Sequence, residues 1–123
     1  MISRGIIWAG LYVEDLPAAV TFYREVVGLR LVRQGQGWAD FDAGGGEMFE
    51  LLEGGQAAAD PKGRDKQSLV IGLLVDDLDQ TMAELSGRGV KFLGQPGQFK
   101  NQRWAYFCDP EGNFLEIKEI RQV

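Results

Sequence analysis

Two stretches of this chain carry the same pattern of residues in the same order. Trp8–Leu16 (WAGLYVEDL) matches Val70–Leu78 (VIGLLVDDL) without a gap at the Gly, Leu, Val, second acidic and final Leu positions. A second match pairs Trp38–Phe41 with Trp104–Phe107. The number of residues between the two copies differs slightly between the two matches, and a loop of different length accounts for that difference. Self-similarity of this kind predicts two tandem copies of one structural unit.

Each copy predicts one strand, then a helix, then three more strands. Apolar runs and alternation bounded by turn residues place the strands at 6–13, 30–34, 37–42 and 47–53, and again at 69–75, 90–93, 102–107 and 113–119. Asp109–Asn113 (DPEGN) is a strong hairpin signal, and 43–46 occupies the same place in the first copy. The order predicts an α+β fold made of two βαβββ modules.

Both predicted helices begin after an acidic residue. Asp15 and Asp77 fit N-cap positions, and Gln80 follows Asp77 at the spacing of a capping box. In the first helix, apolar residues recur at helical spacing from Leu16 to Val27. The natural helix stops are glycines: Gly28 in the first copy, and Gly87 or Gly89 in the second.

The chain length fits one domain. Its 123 residues predict module one at 1–53, an aperiodic linker at 54–66 and module two at 67–123. The single cysteine, Cys108, excludes an internal disulfide framework and fits a reducing compartment. Because we find neither a secretory signal nor an apolar run long enough for a bilayer, we expect a cytoplasmic protein without membrane contact.

Charge and histidine content exclude several classes of function. A net charge of −5 without clustered Lys or Arg argues against a nucleic-acid partner, although it is compatible with a cationic small molecule. The chain contains no histidine, so Ser-His-Asp and Cys-His catalysis and His-ligated metal sites are closed to it. For the same reason we expect Cys108 to be an inert thiol.

Two motifs resemble those of a known superfamily. The first is LYVEDL at 11–16, followed by FY at 22–23 and GL at 28–29, and the second is DPEGNFLE at 109–116. Together they resemble the vicinal oxygen chelate superfamily of glyoxalases, extradiol dioxygenases and bleomycin-resistance proteins. The resemblance implies that the two modules curl eight strands into an open cup, usually in a homodimer, with the site inside the cup.

The resemblance also implies four metal-ligand positions, on the first and last strands of each module. In this chain they are Trp8, Glu50, Val70 and Glu116. Only the two glutamates can coordinate a metal, so we expect no cofactor. The alternative is a divalent metal on Glu50 and Glu116, with Mg²⁺, Ca²⁺ or Mn²⁺ favoured over zinc.

Strand alternation predicts the surface on which a ligand binds. Residues two apart share a face, which puts aromatic and acidic side chains, Asp40 among them, opposite the apolar face that packs under the helices. The predicted ligand-binding residues on this face are Trp8, Tyr12, Trp38, Glu50, Trp104, Tyr106 and Glu116. Such a concavity suits a planar or cationic organic ligand, and the alternative is that the aromatic residues simply fill a core.

Two functions fit these residues. The first is a metal-free protein that binds an aromatic or cationic small molecule, similar to the bleomycin-resistance branch and compatible with antibiotic resistance. The second is a metal-dependent lyase, isomerase or dioxygenase that uses Glu50 and Glu116. A metal-free enzyme with a carboxylate base lies between the two. The glutamates could also be structural, for example through an ion pair with Lys118, and the sequence assigns no catalytic residue.

Overall fold

The computed structural model describes residues 1–63 and 66–122 and confirms two βαβββ modules. Module one contains β1 (Trp8–Val13), α1 (Leu16–Thr21) continued by a π-helical segment (Phe22–Val27), β2 (Arg30–Gly35), β3 (Trp38–Gly44) and β4 (Glu47–Glu53). Module two contains β5 (Ile71–Leu74), α2 (Leu78–Gly87), β6 (Phe92–Phe99), β7 (Gln102–Cys108) and β8 (Phe114–Ile120). Arg64 and Asp65 of the predicted linker, and Val123, lie outside the described residues.

Each module forms one open, mixed four-stranded sheet. The strand orders are β1-β4-β3-β2 and β5-β8-β7-β6, so the last strand of each module lies between its first and third strands. The first and last strands run parallel, and the other neighbours run antiparallel. Side chains from three strands of a module therefore share one surface, which is what a site on this face requires.

The apolar faces form the core of each module, as alternation predicts. In module one the rings of Tyr23, Phe41 and Phe49 pack against one another with centroids 5.0–6.4 Å apart, and all three are buried. The core of module two consists mainly of Leu78, Leu85, Val90, Ala105, Phe107, Leu115 and Ile117. Burial of these side chains is the main favourable term in folding, and it orients each sheet with its aromatic and acidic face outward.

Both helix starts are confirmed. The Asp15 carboxylate accepts a hydrogen bond from the N–H of Ala18, and the Asp77 carboxylate accepts one from the N–H of Gln80. For Gln80, predicted to complete a capping box, the structure gives a different contact: its side-chain amide donates to Glu84 Oε1 one turn later. In α2, a second carboxylate helps to hold the first turn: Glu119 of β8 accepts from the N–H of Leu78, which lowers the pKa of Glu119.

The first helix is not α-helical over its full length. From Phe22 it winds as a π-helix, in which the N–H of Gly28 donates to the carbonyl of Tyr23 five residues earlier. The sequence could not show this, because the apolar period keeps Tyr23 on the core side in either winding. The predicted stop is confirmed, since Gly28 adopts a left-handed conformation with φ of 91°.

Three strands differ in extent from their predicted bounds. Strand β1 begins at Trp8, which leaves Ile7, inside the predicted strand 6–13, 74% exposed. Strand β5 is shorter than predicted at both ends. Strand β6 runs on to Phe99, because pairing with β7 resumes beyond a register shift between Leu93 and Gly97. The alternation of apolar and polar residues along one strand does not reveal such an interruption in its pairing.

The predicted linker divides between two compact units, the first ending at Ala57 and the second beginning at Ala58. In the second unit, the N–H groups of Ala58 and Lys62 donate to carbonyls in the DPEGN turn. Asp109 closes that turn by accepting from the N–H groups of Glu111 and Asn113. In the described part of the chain, no helix is long and apolar enough to span a membrane.

Candidate functional site

An open groove of about 490 Å³ lies on the outward face of the first sheet, opposite the face that covers the core. Its lining comes from the neighbouring strands of this sheet and the β2–β3 turn: Arg33, Gly37, Trp38, Asp40, Glu50 and Leu52. The groove therefore combines one indole, two carboxyl groups, one guanidinium and one aliphatic side chain. Its volume falls within the range typical of small-molecule sites, roughly 300–1,000 Å³.

Strand register explains why these side chains meet. Strands β3 and β4 pair so that Asp40 lies opposite Glu50 and Trp38 lies opposite Leu52. Directly opposite residues in an antiparallel pair have Cβ atoms about 4.5–5.5 Å apart, close enough for their side chains to interact. The two pairs are adjacent on one face because Asp40 follows Trp38 by two residues.

Arg33 reaches the groove through an irregularity in the sheet. Leu31 pairs with Phe41, but the next paired residue on β2 is Arg33, opposite Asp40, so Val32 is the extra residue of a bulge. Arg33 Nε consequently lies 3.0 Å from Asp40 Oδ2. Without the bulge, Val32 would face Asp40 and the carboxylate would lack this cation.

Asp40 is the least satisfied polar group of the groove. Its side chain is only 7% exposed, and Oδ2 accepts from Arg33. The other oxygen, Oδ1, is buried and accepts a hydrogen bond from no group in the described part of the chain. A buried acceptor without a donor costs about 1–3 kcal/mol, so Oδ1 is a place where a ligand donor would be favoured.

Glu50 has an altered protonation equilibrium. The Asp40 carboxylate raises the pKa of Glu50, chiefly because a protonated Glu50 can share its proton with Asp40 in a hydrogen bond, and desolvation and repulsion from Asp40 add to that effect. Trp8, whose Nε1 donates to Glu50 Oε1 at 3.1 Å, and Arg33 act in the opposite direction. A protonated Glu50 can donate to Asp40 Oδ1, whereas an ionised Glu50 leaves that oxygen without a donor.

Glycines allow the tryptophans to lie close against the sheet. A Cβ atom on Gly35 would lie 2.5 Å from the Trp38 indole nitrogen, and one on Gly10 would lie 2.6 Å from a ring carbon of Trp8. Gly97 has the same relationship to Trp104 in module two. Each indole therefore occupies space that any other residue at the glycine position would take.

In module two, the residues equivalent to Glu50 and Leu52 of the groove are Glu116 and Lys118, and their opposite charges form an ion pair. Lys118 Nζ lies 5.5 Å from the centroid of the Trp104 ring and 3.4 Å from Glu116 Oε1. Tyr106 takes the place of Asp40 opposite the glutamate and stacks on Phe114 with centroids 6.2 Å apart. The ion pair expected between Glu116 and Lys118 as a structural alternative is thus present.

The predicted site residues are divided between the two units. Trp38 and Glu50 line the groove, and Trp8 joins it through its hydrogen bond to Glu50. Tyr12, 61% exposed, shares the face of Trp8 but does not line the groove. Trp104, Tyr106 and Glu116 are half-buried together on the outward face of the second sheet. Ligand binding by these seven residues stays a prediction.

Four groove residues, Arg33, Gly37, Asp40 and Leu52, were outside the predicted set of ligand-binding residues. Asp40 and Leu52 could have been included, because alternation places them on the same face as Trp38 and Glu50. Arg33 carried no usable signal, since only the bulge at Val32 brings it opposite Asp40. The acidic character of this face was predicted, whereas the guanidinium group of Arg33 within the groove was not.

The four positions implied as metal ligands do not form a metal-binding set. The Trp8 indole N–H is directed at Glu50, Val70 carries no donor atom, and Glu116 is paired with Lys118. Among residues 1–63 and 66–122, no three carboxylate or thiol side chains are grouped so that they could hold a metal ion. A divalent cation such as Mg²⁺ or Ca²⁺ needs several oxygen ligands, and the residues at these four positions do not supply them.

Comparison with known proteins gives matches over nearly the whole chain. The model of the Glyoxalase/Bleomycin resistance protein/Dioxygenase superfamily matches residues 5–117. The uncharacterized protein YraH of Bacillus subtilis (strain 168) is 32% identical over 122 residues, covering 89% of this chain and 94% of that protein. A probable lactoylglutathione lyase of Vibrio cholerae is 26% identical, covering 100% of this chain and 96% of that protein.

Among solved structures, the fold is similar to that of TnmS3, an antibiotic binding protein from Streptomyces sp. CB03234. That structure superposes with a TM-score of 0.71 at 26% sequence identity, and the match covers 98% of this chain and 99% of that one.

Proposed function

Because this chain belongs to the glyoxalase/bleomycin resistance protein/dioxygenase superfamily, we propose that it is a metal-free binding protein for an aromatic or cationic small molecule. The observation that carries the proposal is the buried Asp40 Oδ1, an acceptor for which residues 1–63 and 66–122 supply no donor, in an open groove beside Trp38. The similarity to TnmS3, an antibiotic binding protein, supports a binding role and makes antibiotic resistance one form that it could take.

The side chains of the groove supply two kinds of attraction. The Trp38 indole offers an aromatic face on which a planar ring can stack or a cation can rest. When both are ionised, the Asp40 and Glu50 carboxylates carry more negative charge than the single guanidinium group of Arg33 offsets. An aromatic or cationic ligand would therefore gain both contact area and charge complementarity in this groove.

Tryptophan fluorescence tests the proposal directly. We expect planar aromatic cations to quench the indole emission and raise the melting temperature, and Trp38→Leu to weaken this binding about tenfold or more. Phe99→Ala, at an exposed aromatic position on β6, is the matched control and should leave affinity unchanged. If a broad panel of planar and cationic compounds produced neither quenching nor a thermal shift, the proposal would be wrong.

An enzyme is the second candidate, favoured by the raised pKa of Glu50 in an open groove and by the similarity to a probable lactoylglutathione lyase. In such an enzyme, Glu50 would transfer a proton as general acid or base. Glu50→Gln would then abolish turnover while ligand still quenched the indole emission. The metal-dependent form, with Glu50 and Glu116 as ligands, requires stoichiometric metal in protein purified without chelators, lost on Glu50→Gln.

We also propose that the protein forms a homodimer. Strand β1 is an edge strand, and apolar side chains on and before it are exposed, among them Ile6, Ile7 and Tyr12. A second chain is one way to cover such an edge. Analytical ultracentrifugation over a range of concentrations should show a dimer, and a monomer throughout that range would contradict this part of the proposal.

A further inference from the structure

The two modules present surfaces that match in strand pairing and differ in charge. The strand pairing that puts Trp38 opposite Leu52 in module one puts Trp104 opposite Lys118 in module two. Glu50 and Glu116 hold equivalent places two residues earlier on the last strand of each module. Position for position, module two therefore has an ammonium group where module one has an isobutyl group.

Lys118 shows how this surface accommodates a cation. Its ammonium group lies over the Trp104 ring at 5.5 Å and contacts the Glu116 carboxylate at 3.4 Å. An aromatic face with a carboxylate beside it is an arrangement that binds ammonium groups in proteins. In module two, the chain supplies that ammonium group itself.

Module one has the same indole and carboxylate and lacks the lysine. Leu52 contributes no charge, and the groove has a second carboxyl group, Asp40, where module two has Tyr106. Asp40 is buried, and its Oδ1 has no donor within the described residues. Arg33 does not supply that donor, because it binds the other oxygen of Asp40 from the rim and is itself 68% exposed.

We infer that the groove of module one binds an organic ammonium ion, whose charged group occupies the place that Lys118 fills in module two. The inference rests on the proposed binding function and narrows its ligand class to protonated amines with an apolar or aromatic body. The ammonium group donates to Asp40 Oδ1 and Glu50, and the body lies against Trp38 and Leu52. Carboxylates of the same shape are excluded by the two acidic side chains.

A lysine introduced at position 52 tests the cation site without any ligand. We expect Leu52→Lys to melt about 4 °C or more above the control Leu52→Met, because the new ammonium group reaches Asp40 Oδ1 and Glu50 as Lys118 reaches Glu116. The difference should shrink when Asp40→Asn is added to both variants. A Leu52→Lys protein no more stable than Leu52→Met would overturn the inference.

A matched set of probes tests the ligand class. We expect 1-naphthylmethylammonium to bind the wild-type protein at least about tenfold more tightly than 1-naphthylmethanol, and 1-naphthoate not to bind, by calorimetry at pH 7. Leu52→Lys should weaken ammonium binding at least about tenfold, and Leu52→Met should change it less than about threefold.

The two proposals fail in different ways. If the naphthyl alcohol binds as tightly as the ammonium ion, or if Leu52→Lys leaves ammonium binding unchanged, the ammonium inference is wrong while the binding function stands. The binding function itself fails only when the broad panel of planar and cationic compounds gives no quenching and no thermal shift.

Discussion

Asp40 and Glu50 lie directly opposite one another on β3 and β4, with both carboxyl groups lining one groove. Like charges in this position destabilise an antiparallel pair of strands. Arg33 contacts only one of the two, and the opposed carboxyl groups raise the pKa of Glu50. Folding alone does not favour such a pair, so its stability cost is measurable and its presence points to binding or chemistry at the groove.

Replacing Glu50 by Gln is expected to stabilise the protein at pH 7. The substitution removes the repulsion and lets the side-chain amide donate to Asp40 Oδ1, a gain of about 1 kcal/mol, or about 4 °C in melting temperature. Because the pKa of Glu50 is raised in the folded protein, its protonated form favours folding, and this contribution is lost as the pH rises above the usual value of 4.5. The gain should therefore disappear below that pH.

Thermal melts of wild type and Glu50→Gln at pH 7 and near pH 4 check this prediction. Glu53→Gln, at an exposed position on the same strand, is the control for losing one negative charge. A Glu50→Gln protein that is less stable than wild type at pH 7 would contradict the assignment of Asp40 and Glu50 as an opposed pair.

Gly35→Ala is expected to displace the Trp38 indole. The added Cβ would lie 2.5 Å from the indole nitrogen, so the ring must leave its place against β2, at a cost of about 1–3 kcal/mol. We expect a shifted tryptophan emission and weaker binding of any ligand that quenches it. Gly87→Ala in α2, where a Cβ would meet open space, should leave emission and binding unchanged. Wild-type emission in Gly35→Ala would argue against this placement of Trp38.

Gly46 and Gly112 hold equivalent places in the two β-hairpins. Replacing each by alanine distinguishes backbone strain, which affects both positions, from a steric clash, which affects only Gly112. Both have positive φ, 89° and 82°, so alanine at either costs about 1–3 kcal/mol of backbone strain. A Cβ on Gly112 would also lie 2.6 Å from the carbonyl oxygen of Asp60, whereas one on Gly46 meets open space. Urea unfolding should show Gly112→Ala losing clearly more stability than Gly46→Ala. Equal losses would mean that the 58–62 segment does not pack on this turn.

Cys108 is expected to react slowly with alkylating agents. Burial, and to a lesser extent the negative charge of Asp109, raises the pKa of its thiol to about 11. At pH 8 the thiolate fraction is then on the order of 0.1%, so alkylation by iodoacetamide should be about 100-fold or more slower than for a model thiol. Mass spectrometry between pH 7 and 11 measures the rate, with the urea-unfolded chain as control. A pKa midpoint near 9.0, the ordinary value for a cysteine thiol, would contradict the burial of this thiol.

Which side chains face inward was predictable from sequence. Phe41 and Phe49 are buried and Trp38 and Glu50 line the groove, as alternation requires of strands with one covered face. The N-caps at Asp15 and Asp77 were predictable for a similar reason, because a capping bond spans only three residues.

The sequence did not predict contacts that depend on a register shift between two paired strands. Arg33 contacts Asp40 only because the pairing of β2 with β3 shifts by one residue at Val32. No local pattern marks that shift, since each of Val32 and Arg33 could equally have faced Asp40 in a regular strand. The same limitation explains the missed length of β6.

By itself, the sequence determined two copies of one βαβββ module, the helix starts and the buried face of each strand, because these features depend on residues only a few positions apart. Only the tertiary structure decided that Asp40 and Glu50 share a groove and that Lys118 neutralises Glu116. It also decided that Arg33 binds one oxygen of Asp40, while the other has no donor in the described part of the chain. These relationships depend on the register between paired strands and on side-chain distances across them. Such distances arise only when the chain is folded.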